Sequence, residues 1–96
     1  MSVDGNRFVG KVVIVTGGGS GIGAATAYRF GREGAAVVAV GRSEDRLKEA
    51  AADAPAGARV LTRVADVSEE SSITVLITDV AEEYGRLDVL VNNAGG

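Results

Sequence analysis

Five glycines fall within seven residues of this chain, at positions 17, 18, 19, 21 and 23, and further groups able to hold a ligand recur at Arg42-Ser43, Asp66-Val67 and Asn92-Asn93-Ala94-Gly95. The glycines follow a β-branched run, Lys11 to Thr16, and precede a segment with helical spacing. In that context free backbone N–H groups and the positive end of a helix together form an anion site. Out of context the same cluster would read as a flexible or tight connection. A nucleoside triphosphate loop of the Walker type is excluded, because Ala24 stands where its Lys is required. The chain has no Cys and no His, which removes disulfides, Cys/His zinc sites, thiol nucleophiles and Ser-His-Asp triads. Carboxylates, amines, hydroxyls and backbone groups remain.

These residues need elements to position them. Lys11 to Thr16 is apolar at successive positions, as a strand buried on both faces should be. Ile22 to Arg32 places Ile22, Thr26, Ala27 and Phe30 at helical spacing, with Gly31 and Gly34 loosening the helix end. Ala35 to Val40 is a second buried strand. Ser43 is an N-cap with Glu44 and Asp45 in the first turn, opening a helix through Leu47, Ala50 and Ala51 that Pro55 and Gly57 stop. Arg59 to Val64 alternates charged and apolar residues, as a strand nearer an edge does. Ser68 caps a third helix whose apolar face is Ile73, Leu76, Ile77, Val80, Ala81 and Tyr84, with Gly85 as its stop. A fourth strand covers Leu87 to Val91. Alternating strands and helices at these spacings predict parallel strands joined by right-handed crossovers.

The plain dinucleotide fingerprint fits only as Gly19-x-Gly21-x-x-Ala24. Thr16-Gly17-x-x-x-Gly21-x-Gly23 fits better, and that pattern resembles the short-chain dehydrogenase/reductase family. Asn92-Asn93-Ala94-Gly95 after the fourth strand and Asp66-Val67 after the third are similar to two further motifs of that family. The resemblance runs from Lys11 to Gly95. It implies an α/β fold, a partial Rossmann-like doubly wound parallel sheet of about four strands in the order 3-2-1-4 with three helices. Residues 11–96 form this partial domain behind a leader of residues 1–10.

The resemblance also implies roles. Gly17 permits the sharp turn out of the first strand, while Gly19, Gly21 and Gly23 let backbone and helix close on a dinucleotide. The N–H groups around Ser20, Gly21 and Ile22 face its pyrophosphate. Asp66 accepts from the adenine amino group while the Val67 N–H donates to a ring nitrogen; the alternative is an acid at a helix start. Asn93, Ala94 and Gly95 border the ribose at the topological switch point. Thr16 and Asn92 are read as structural. At the end of the second strand, an acid would bond a ribose 2′-hydroxyl and a base would accommodate a 2′-phosphate. Arg42, with Ser43 as a second donor, favours NADP, with NAD as the alternative and a solvated Arg42 as the competing reading.

Catalysis in the family uses a Ser and a Tyr-x-x-x-Lys pair, which this chain lacks. Tyr28 and Tyr84 are followed four residues later by Arg32 and Asp88, and the two lysines, Lys11 and Lys48, are preceded four residues back by Arg7 and Glu44. No catalytic residue is assigned. The chain reads as the cofactor-binding half of an oxidoreductase acting between NADP(H) and an alcohol or carbonyl, inactive alone and taking substrate only if the catalytic half is supplied. The alternative is a free-standing dinucleotide-binding module. Ten Lys and Arg against thirteen Asp and Glu, for a net charge of −3, leave no basic stripe for nucleic acid. No run approaches the roughly 20 apolar residues of a membrane span. A cytoplasmic location is expected, and the apolar open edge of the fourth strand predicts self-association.

Overall fold

The computed structural model describes residues 8–17, 21–66 and 70–92. Chain order is β1 (Val12–Thr16), α1 (Gly21–Arg32), β2 (Ala36–Gly41), α2 (Glu44–Ala52), β3 (Arg59–Val64), α3 (Glu70–Tyr84) and β4 (Val89–Asn92). The strands form one parallel sheet in the order β3-β2-β1-β4. This Rossmann-like arrangement is the expected one. The second strand starts and ends one residue later than its apolar run suggested. The fourth is Val89–Asn92, and Leu87 instead packs beside α3.

The two central strands justify their unbroken apolar runs. Every residue of β1 is buried, as are the four inner residues of β2. Val13, Val15 and Val37 face Ala27 of α1, with Val89, Val91 and Phe30 at the margin. Val12, Ile14, Val38 and Val40 face Leu76 and Val80 of α3 on the other side, joined by the partly buried Tyr84. Alternate side chains of each strand thus serve opposite layers. Burying each Val or Ile side chain contributes about 1.5–3 kcal/mol.

Helix α1 departs from its expected apolar face. Ile22 is 74% exposed, and the buried residues are Gly23, Ala27 and Gly31, spaced by four. Small residues line the buried stripe because the helix lies close to its neighbours. Gly31 therefore does not loosen the helix end; a Cβ there would sit 3.0 Å from that of Ala58. Gly34 does lie past the helix, with φ +98° and with Val9 against it. Phe8 packs edge-on against Phe30, the ring centroids 5.0 Å apart.

Helix α2 begins as expected, with Ser43 Oγ accepting the Arg46 N–H at 3.3 Å. The Ser68 cap of α3 lies outside the described residues. At the amino edge of the sheet, the Asp88 carboxylate accepts the Val12 N–H at 2.8 Å while the Asp88 N–H donates to the Val12 carbonyl at 2.9 Å. The Arg86 guanidinium grips both carboxylate oxygens, at 2.7 and 2.8 Å. These bonds lock the register of β4 on β1. Among the described residues no helix is long and apolar enough to cross a membrane.

Candidate functional site

Parallel register brings the four strand ends level. Thr16 lies opposite Val40 on one side and Asn92 on the other, and Gly41 lies opposite Val64. The described nominated residues follow these ends, so Gly17, Arg42 and Asp66 share the carboxyl edge with Asn92, the last residue of β4. Ligands of open α/β sheets bind at that edge, where neighbouring strands depart in opposite directions. Here β1 leads to α1 on one face, and β4 reaches β1 from α3 on the other.

Gly17 adopts φ +69°, a left-handed conformation that side-chain-bearing residues avoid, so the chain turns sharply as it leaves β1. Helix α1 starts at Gly21 with no acidic residue in its first turn. The start of a helix is where backbone amides run short of intrahelical acceptors, and at this end the dipole of α1 favours an anion. Arg29 and Arg32 complement the opposite end of the same helix. Ile22 extends its side chain into solvent at the first turn, a placement that apolar periodicity hid.

The hydroxyl of Thr16 has a structural role at the end of β1. It is buried and reaches across to β4, 3.1 Å from Asn92 Oδ1 and 3.3 Å from the Val91 carbonyl oxygen. Asn92 is thereby held as the structural amide its position suggested. At the next end, Gly41 lies against Leu47, and the Ala65 N–H donates to the Gly41 carbonyl at 2.9 Å. Arg42 follows, exposed, with Ser43 beside it at the start of α2. The Ser43 oxygen is occupied as an acceptor by the Arg46 amide, which leaves its hydroxyl hydrogen to donate.

Asp66 is exposed just beyond β3. It borders a groove of about 440 Å³ whose walls include Arg63, Val64, Ser72, Val75 and Leu76. Val64 and Val75 are half-exposed there, which the alternating pattern of β3 did not reveal. Arg63 is held by Asp79 at 3.3 Å and Glu83 at 3.0 Å. Of the nominated residues, Gly17, Gly21, Ile22, Gly23, Arg42, Ser43 and Asp66 belong to described elements of this edge. Gly19, Ser20, Val67, Asn93, Ala94 and Gly95 lie outside the described residues. The hydrogen-bonding chemistry of the described set fits a dinucleotide: helix-start amides could donate to a pyrophosphate, a carboxylate could accept from an adenine amino group, and a guanidinium with a hydroxyl could donate to a phosphorylated ribose.

Three comparisons bear on this geometry. A family model described as short chain dehydrogenase matches residues 11–96. Levodione reductase from Leifsonia aquatica is 46% identical over 92 residues, covering 93% of this chain and 34% of the reductase. The chain thus spans about a third of the length of that curated relative. Among solved structures, a citronellol catabolism dehydrogenase from Pseudomonas aeruginosa PAO1 superposes with TM-score 0.86 at 37% identity, over 94% of this chain and 38% of that one. A metagenomic short-chain oxidoreductase in complex with NADP gives TM-score 0.86 at 37% identity, over 97% and 42%.

Proposed function

The chain belongs to the short-chain dehydrogenase family, and from that premise we propose that it is the cofactor-binding part of an oxidoreductase, selective for NADP over NAD. The observation that carries the selectivity is Arg42, placed by β2 at the carboxyl edge next to the Ser43 hydroxyl. A guanidinium fork meets a ribose 2′-phosphate with two charge-assisted bonds, and Ser43 adds a neutral one. The similar metagenomic oxidoreductase solved with NADP supports the reading.

In this reading each end of the sheet has one task. The turn from Gly17 through Gly19, Ser20, Gly21, Ile22 and Gly23 receives the pyrophosphate on backbone N–H groups, without a lysine. Asp66 and Val67 read adenine by one accepted and one donated hydrogen bond. Asn93, Ala94 and Gly95 border the nicotinamide-side ribose, and the exposed Ile22 covers part of the dinucleotide. The bound nicotinamide supplies or takes the hydride in this family's chemistry.

The sequence carries no Tyr-x-x-x-Lys pair to move the accompanying proton. The half-buried Tyr28 and Tyr84 are committed to structural contacts, one bonded to α2 and the other, at the end of α3, packed against the core between α3 and the sheet. The 96-residue chain therefore binds cofactor without turning over, and substrate recognition requires groups it does not contain. Incubating the purified chain with NADPH and a panel of carbonyl compounds tests this directly. No oxidation above the buffer rate is expected, and measurable turnover would overturn the inactive reading while leaving the binding reading intact.

A further inference from the structure

Tyr28 lies on α1, about two turns beyond its start. Its hydroxyl donates to the Ala50 carbonyl of α2 at 2.6 Å. That carbonyl belongs to the last turn of α2, where a helix runs out of amides to satisfy its acceptors. The Ala54 N–H, which would continue the helical pattern, turns to Ala51 at 3.3 Å. No basic residue stands in the last turn of α2 to meet its negative end. A hydroxyl from the neighbouring helix supplies the missing donor. Burial, with the charge of Asp53 second, pushes the Tyr28 hydroxyl above its ordinary pKa.

The other end of α2 is the site. Its N-cap is Ser43, directly after Arg42. Between the two ends Leu47 is buried beside Gly41, where a methyl group added to the glycine would meet Leu47 Cδ2 at 3.5 Å. Ala50 is buried as well, so the helix is seated at Leu47 and Ala50 while Ser43 at its start is exposed. The bond from Tyr28 fixes the Ala50 end to α1, whose own start forms the anion-binding turn.

We propose that Tyr28 is a positioning residue which ties α2 to α1 and so holds Arg42 and Ser43 at a set reach from the glycine turn, tuning the same site for a 2′-phosphorylated adenosine. This deepens the NADP reading and rests on it. Because Arg42 and the turn lie on different elements, a tilt of α2 alters the 2′ contact more than the 5′ contact.

The test compares 2′,5′-ADP with 5′-AMP, ligands that differ only in the 2′-phosphate, by calorimetric titration of the wild-type chain and Tyr28→Phe. Amide hydrogen exchange on the two unliganded proteins accompanies it. Tyr28→Phe is expected to weaken 2′,5′-ADP about fivefold while 5′-AMP changes less than about twofold. Exchange should quicken across α2, including the Arg46 amide bonded to Ser43, with α1 unchanged. Equal losses for both ligands, or no loss for either, overturn the proposal, since a role in general stability would weaken both alike. A wild-type chain that binds the two ligands equally contradicts the NADP reading instead. In that case exchange decides for Tyr28: quickening confined to α2 upholds its positioning role, and unchanged exchange removes it.

Discussion

Replacing Arg42 by Asp exchanges a phosphate-seeking fork for a carboxylate that accepts from a ribose hydroxyl, at a position already outside β2 and before the Ser43 cap. Loss of charge-assisted bonds predicts that Arg42→Asp weakens NADPH by about tenfold to a hundredfold and reverses the order of NADPH and NADH, as read by fluorescence titration. Asp88 carries a different prediction, because its carboxylate holds the register of β4 on β1. The Arg86 fork first, and the Val12 N–H second, keep its pKa below the ordinary 3.8. A carboxyl whose folded pKa is depressed stabilises the fold fully above its unfolded value and loses that contribution as pH falls through the folded one. Thermal melts should therefore show a wild-type advantage over Asp88→Asn at neutral pH that shrinks only below about pH 4; an advantage constant down to strongly acidic pH would contradict the assignment. Asp88 was invisible as a clasp in the sequence, since a lone acid before an apolar run says nothing of an amide 76 positions away. The place of Arg42 just beyond β2 is legible in the sequence, because the end of an apolar strand run fixes which residue comes next at the edge.

At the scale of elements, α1 is the clearest lesson in what a hydrophobic pattern conceals. Periodicity selected Ile22 as core, yet the helix buries Gly23, Ala27 and Gly31 and turns Ile22 to solvent. A helix that packs on its smallest residues comes close to its neighbours, and no apolar count registers glycine as a contact residue. Gly31→Val is expected to destabilise by about 1–3 kcal/mol in denaturant unfolding, because Ala58 leaves no room for the added carbons. An unchanged midpoint would contradict the close approach. The strands follow their patterns more closely, since β1 and β2 are buried on both faces and β3 lies at the edge its alternation suggests. Helix α2 was legible from its cap. Removing that cap with Ser43→Ala should cost about 1 kcal/mol of stability, and in the proposed site it also removes one donor to the 2′-phosphate.

On the scale of the whole molecule, the sheet ends with β4 as one edge, and Leu90 is 44% exposed on the α3 face. Parallel edge strands with exposed apolar side chains favour pairing with another chain. Light scattering at high concentration is expected to report a species heavier than the monomer, and a stable monomer would argue against association through β4. The carboxyl edge is where the fold meets the proposed function, because level strand ends bring residues separated by up to 76 positions to one edge. Calorimetric titration of the purified chain with NADPH and with NADH tests that assembly most directly. Saturable one-to-one binding of both, with NADPH tighter by about tenfold, is the predicted result. Absence of binding by either cofactor would contradict the assignment of this edge as a dinucleotide site.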